Sequence, residues 1–185
     1  MKSEKEKAIE GELYDANNDS QLILERDTCK KLCFEYNHLS PSQKEKRAAI
    51  IKKMFGKTGK TFLIEQPFYC DYGYNIEIGE NFYANVNCII LDGAKVSFGN
   101  NVFIAPGCGF HTAEHPLDVE QRSKGLEYAY PITIGNNVWI GAQSVILSGI
   151  TIGDNCVIGA GSVVTHDIPD NVVAVGNPCR VLKYI

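Results

Sequence analysis

Residues 139–164, WIGAQSVILSGITIGDNCVIGAGSVV, carry an aliphatic residue at every sixth position: Ile140, Ile146, Ile152, Ile158 and Val164. A helix repeats near 3.6 residues and a strand at 2, so neither produces this spacing. A coil of three short flat sides does, if each side sends one large and one smaller residue inward. Strands of successive coils then stack about 4.8 Å apart. Gly and Asn at the second to fourth positions of each hexad suit the left-handed dihedrals of sharp corners. The pattern therefore predicts a parallel β-helix.

Reading outward, the register extends back through IGENFY, ANVNCI and ILDGAK from residue 78, then skips two residues, Val96 and Ser97. It resumes with FGNNVF and IAPGCG, and again with IGNNVW from Ile134. The smaller inward position is Phe82, Cys88, Ala94, Val102, Cys108, Val138, Ser144, Ile150, Cys156 and Ser162 in turn. The break between the two runs is HTAEHPLDVEQRSKGLEYAYP, residues 111–131, rich in charge and aromatics. A stacked coil has no packing use for such an excursion, and long loops on rigid scaffolds carry function. It contains His111 and His115, and His115 precedes a proline that favours an extended backbone.

Residues 1–60 follow a different grammar, dense in Lys, Glu and Arg. Leu22, Ile23, Cys29, Leu32, Cys33 and Tyr36 lie on one face of an expected helix over 20–37, with Asp19 or Ser20 as its cap. Ser40, Pro41 and Gln43 fit the start of a second helix, in a capping-box arrangement, and Gly56 its stop. The chain thus divides into a helical region, 1–60, and a β-helix, 61–185, with the inserted loop at 111–131.

The 185 residues carry a net charge of −4, with 44% apolar and 22% charged residues. That balance gives no electrostatic reason to expect nucleic acid or an anionic membrane as a partner. No apolar run approaches the length of a membrane span. The start, MKSEKEKAIEGEL, lacks the apolar stretch of a signal peptide, so a cytoplasmic location is expected. Seven cysteines, an odd count in such a setting, argue against a disulfide framework. Cys29 and Cys33 would neighbour each other on a helix face as half a metal site, but no CxxC or histidine cluster joins them. Packing is the expected role of the thiols, and three of them (Cys88, Cys108, Cys156) fall on the small inward position. There is no Walker loop or Rossmann glycine fingerprint to suggest a nucleoside triphosphate or a nicotinamide.

The segments GELYDA (11–16), EYNHLSPSQKEKR (35–47), CDYGYNIEIGENFYANVNCIILD (70–92), HPLDVEQRSKGLEYAYPITIGNNVWIG (115–141) and VGNPCRV (175–181) resemble the maltose and galactoside O-acetyltransferases of the hexapeptide-repeat acyltransferase superfamily. The resemblance spans nearly the whole chain. It implies a left-handed β-helix and a homotrimer with active sites between neighbouring prisms. It also implies acetyl-CoA as donor, with no metal, and a sugar hydroxyl, that on carbon 6, as acceptor. In this reading His115 is the general base for direct attack in a ternary complex. Asn85 of FYAN binds the acceptor and supports the transition state, and a main-chain N–H near Ala142 meets the oxyanion. Asp15, Arg26, Asp71, Tyr83, Asp92 and Glu127 are the implied acceptor-site residues. Ala142, Ala160, Thr165, His166, Arg180 and Lys183 are the implied CoA-site residues. Two positions depart from relatives: Gly93, where some have a second acid, and His166, where Lys is common.

Other readings share the repeat. An acetyltransferase for a different small hydroxyl or amine acceptor needs the same donor site. A γ-carbonic-anhydrase-like enzyme needs three convergent histidines, of which only His111 and His115 are near each other in sequence. A non-catalytic scaffold would leave His115 and Asn85 without a use.

Overall fold

A computed structural model describes residues 2–185. Three helices precede the first strand: α1 (Glu4–Ile9), α2 (Ser20–His38) and α3 (Lys44–Met54). The strand at Phe62–Ile64 then opens a left-handed parallel β-helix of about six turns. This hand is an exception to the right-handed crossover rule, which governs strands joined within one sheet.

The first face of the prism stacks Phe62–Ile64, Phe82–Ala84, Phe103–Ile104, Trp139–Ile140, Val157–Ile158 and Val172–Val175. The second stacks Phe68–Cys70, Cys88–Leu91, Gly109–His111, Val145–Ile146 and Val163–Val164. The third stacks Ile76–Ile78, Val96–Phe98, Ile132–Ile134 and Thr151–Ile152. Ile140, Ile146, Ile152, Ile158 and Val164 are each 0% exposed, which explains the sixfold beat. Inside the prism Phe82, Phe98 and Phe110 meet edge to face, with centroids 5.1 and 5.0 Å apart.

The corner between third and first faces is built by asparagine. Asn81, Asn101, Asn137, Asn155 and Asn171 all take φ between 55° and 59°. Their side chains hydrogen-bond in one continuous ladder, each Nδ2 donating to the next Oδ1 at 2.9–3.0 Å. Asn accepts the left-handed region because its short amide makes local bonds that offset the Cβ crowding.

Coil length is not constant. Phe62 pairs with Phe82 and Tyr83 with Phe103, a step of 20 residues, whereas Trp139 pairs with Val157, a step of 18. The extra pair does not fall at Val96 and Ser97. Val96 is fully buried and takes the small inward place that the hexads assign to Ala94. The insertion lies one corner earlier, within 91–95, where the second face turns to the third. That corner bulges.

The helices differ from expectation in two places. Asp19 caps α2 as expected, accepting from the Leu22 N–H at 2.9 Å. The second helix begins at Lys44, later than Pro41, because 40–43 closes its own turn through Gln43 N–H to the Ser40 carbonyl at 2.9 Å. Only half of the capping box forms, the Ser40 N–H donating to Gln43 Oε1 at 3.3 Å. Helix α1 escapes hydrophobic periodicity because it has one buried residue, Ala8; its signal is the capping box of Ser3 with Glu6. Cys29, Cys33 and Tyr36 of α2 and Ile50, Ile51 and Met54 of α3 share one core with the coil interior.

Candidate active site

The inserted loop leaves the prism at the bulged corner. Its ends pair as an antiparallel ribbon, Ala113–Glu114 against Tyr128–Ala129, and a short helix, α4 (Val119–Ser123), crosses its tip. Tyr14 and Glu127 exchange both backbone hydrogen bonds at 3.0 Å, which straps the N-terminal segment to the loop. A second small core of Ala8, Tyr14, Ala16, Leu22, Tyr72, Ala94 and Ala129 locks helix, loop and corner together. Between them lies a cavity of about 400 Å³, lined by His115, Asp71, Glu127, Arg26, Lys30 and Tyr72 among others.

His115 is held by its Nδ1, 2.8 Å from the Leu126 carbonyl oxygen. A carbonyl can only accept, so Nδ1 carries a hydrogen, and in the neutral imidazole Nε2 is then the nitrogen with the lone pair. The imidazole lining the cavity is therefore oriented as a base. Burial pushes the Asp71 carboxyl above the ordinary range, opposed by the charges of Arg26 and Lys30. Tyr14 donates its phenol hydrogen to Glu127 Oε2 at 3.1 Å. Arg26 donates to the Ala16 carbonyl at 3.2 Å and to Tyr72 Oη at 3.4 Å. Carboxylates and cations around a mid-sized polar cavity suit a ligand with many hydroxyls.

Four of the fourteen residues expected at the site meet in this cavity: His115, Asp71, Arg26 and Glu127. Asp15 does not line it. Its carboxylate turns to its own loop, accepting from the N–H groups of Asn17 and Asn18 at 3.1 and 2.9 Å. Asp92 is 0% exposed and sits behind the wall. Its Oδ1 accepts from the N–H groups of Asp71 and Tyr72 at 3.0 and 2.9 Å, while Oδ2 has no partner among the described residues. Asp92 thus sets the backbone that presents Asp71 rather than touching the cavity. Gly93 leaves the space that Tyr14 fills: a Cβ there would come 3.0 Å from Tyr14 Oη.

Asn85 stands at the corner between first and second faces, its N–H bonded to the Ile104 carbonyl at 2.9 Å. Ala142 and Ala160 occupy the same corner on later coils, linked by the Gly161 N–H to the Ala142 carbonyl at 2.8 Å. The second face separates this corner from the one carrying His115, so a single chain does not bring Asn85 and His115 together. Tyr83 points outward on the first face, in a row with Leu63, Phe103 and Trp139. Trp139 is 57% exposed in that row. Thr165 and His166 are at the same corner as the loop, joined to each other at 2.8 Å. Arg180 pairs opposite Val175 one coil beyond Ala160, and Lys183 opposite Val173; both are exposed. Lys30, Tyr14, Tyr72, Asn17, Leu91 and Glu114 line the cavity without having been expected there. Tyr14, Tyr72 and Leu91 had a sequence signal, as neighbours of Asp15, Asp71 and Asp92 in the quoted segments.

A triangular solenoid of hexapeptide coils, with an imidazole-bearing loop at one corner, is the architecture of an acyltransferase class. Residues 7–59 match the maltose acetyltransferase hexapeptide capping motif, and residues 131–166 the hexapeptide repeat of succinyl-transferase. The galactoside O-acetyltransferase of Escherichia coli is 54% identical over 156 residues, 84% of this chain and 77% of its own. The crystal structure of a maltose O-acetyltransferase from Clostridium difficile 630 superposes with a TM-score of 0.98 at 54% identity, covering 100% of this chain and 98% of that one. A galactoside acetyltransferase in complex with coenzyme A gives 0.96 at 49% identity, with coverage of 100% and 92%. The chain belongs to the maltose and galactoside O-acetyltransferase family of hexapeptide-repeat acetyltransferases.

Proposed function

We propose that this acetyltransferase moves an acetyl group from acetyl-CoA to the carbon-6 hydroxyl of a sugar, with His115 as general base. The observation that carries the reading is the Nδ1 bond to the Leu126 carbonyl, which leaves Nε2 free to accept a proton inside a polar cavity. The hydroxyl oxygen attacks the thioester carbonyl as Nε2 takes its proton. The tetrahedral intermediate collapses, the carbon–sulfur bond breaks, and the imidazolium returns the proton to the CoA thiolate. A main-chain N–H near Ala142 and the Asn85 amide meet the developing oxyanion. Asp71 and Glu127 accept from sugar hydroxyls, and Arg26 donates. The pantetheine arm follows the corner of Ala142 and Ala160, with Arg180 and Lys183 towards the phosphates. The complex of a similar galactoside acetyltransferase with coenzyme A supports the donor.

Asn85 and His115 lie on different corners, so the complete site requires a second copy of the chain, and the apolar outward row of Leu63, Tyr83, Phe103 and Trp139 is the face such a copy would cover. A homotrimer in the cytoplasm is the assembly we infer; among the described residues no helix is long and apolar enough to cross a membrane. The test is release of CoA thiol from acetyl-CoA against a panel of sugars and small amines. Sugars should support turnover and amines should not. His115→Ala should lower kcat by about two to four orders of magnitude with little change in KM for acetyl-CoA. A folded His115→Ala protein with unchanged kcat overturns the assignment of the base.

A further inference from the structure

Four sulfur atoms converge where the helices meet the first coil. Cys29 and Cys33 come from successive turns of α2, Met54 from the end of α3, and Cys70 from the end of a second-face strand. Cys70 Sγ is 3.5 Å from Cys29 Sγ and 3.8 Å from Cys33 Sγ. Met54 Sδ is 3.7 Å from Cys33 Sγ and 3.8 Å from Cys70 Sγ. All four residues are at least nine-tenths buried. The three thiol sulfurs lie within 4.8 Å of one another, and no other set of three such ligating side chains is found among the described residues.

Thiolates bound to a tetrahedral d10 ion at about 2.3 Å stand about 3.8 Å apart. The sulfurs therefore already hold the separations that such coordination demands. Thiols that merely fill a core need share no common centre. Access exists on both sides. One cleft of about 400 Å³ is lined by Cys33 and Cys70, with Lys30 also in its wall. Another of about 390 Å³ is lined by Cys29 and Met54. The thioether and the lack of any carboxylate or imidazole in the set favour a soft monovalent ion over zinc.

We propose that Cys29, Cys33 and Cys70, with Met54 as fourth donor, form a binding site for Cu(I). Binding is coordination without redox change: each thiol that ligates gives one proton to solvent as its sulfur bonds the ion. The proposal does not rest on the acetyl-transfer reading, although the cleft beside Cys33 and Cys70 shares Lys30, Asp71 and Leu91 with the acceptor cavity.

The test titrates reduced, full-length protein, without oxygen, with Cu(I) held by a coloured chelator, and records the X-ray absorption of the product. One Cu(I) per chain should leave the chelator, with only sulfur in the first shell at about 2.3 Å. The double variant Cys29→Ala/Cys33→Ala should lose this uptake, while Cys156→Ala, in the coil interior, should keep it. Met54→Leu, close in volume, should weaken uptake and remove one sulfur from the shell, a readout that survives if the double variant fails to fold. Failure of the wild type to compete with the chelator, nitrogen or oxygen in the first shell, or equal uptake by a folded double variant would each overturn the proposal.

Discussion

Asp92 shows how much a single side chain can differ from its apparent part. The acid after IIL reads as an acceptor contact, yet the chain around it folds so that it is sealed behind the cavity wall. Burial pushes its carboxyl up to about 7, opposed by the two backbone N–H bonds it accepts and reinforced by the nearby Asp71 charge. Because the folded value exceeds the unfolded one, the native state binds more protons between them. Stability is then full below about pH 4 and falls as pH rises to about 7, by at most ~4 kcal/mol. Asp92→Asn should flatten that window when urea unfolding is compared at pH 5 and pH 8; an unchanged difference between the two pH values would refute it. That His115, Asp71, Arg26 and Glu127 line one cavity agrees with where the loop and the family motifs place them. Asp15 and Asp92 do not line the cavity; a motif shows residue type and position, but not whether the carboxylate is consumed by nearby backbone.

The coil elements were legible for a different reason. Each hexad repeats the same burial demand, so errors in one are exposed by the next, and the inward isoleucines followed directly. The bulged corner was misplaced because a two-residue insertion can be slid along the sequence without spoiling the apolar pattern until packing decides that Val96 joins the coil interior and Ala94 the small core outside it. The start of α3 was misplaced for a similar reason: Ser40, Pro41 and Gln43 serve a closed turn as well as they serve a helix start. The asparagine corners make a testable element. Asn137 takes φ 56° and bonds to Asn101 and Asn155. Asn137→Ala loses both bonds and strains the backbone, which should cost about 2 kcal/mol, whereas Asn137→Gly keeps the dihedral and should cost less. Chemical denaturation of the two variants decides this; equal losses would mean that the ladder, not the dihedral, carries the effect.

At the scale of the whole molecule, residues on two corners of one prism must meet through a neighbour if both serve one reaction. Mixing His115→Ala and Asn85→Ala chains by co-refolding should therefore restore activity that neither variant has alone. Random assembly of equal amounts would rebuild about a quarter of the sites in a ring where each site takes one residue from each of two neighbours. No recovery would mean that both residues act within one chain. The far end of the prism has its own consequence. Arg180–Tyr184 folds back antiparallel on Val172–Val175, so the last coil is met by a strand running the wrong way for another coil to follow. A variant ending at Asn177 would present a bare parallel edge, and light scattering should then reveal association through that edge that grows with concentration. The final strand acts as a chain terminator at this end of the stack, as the helices do at the other.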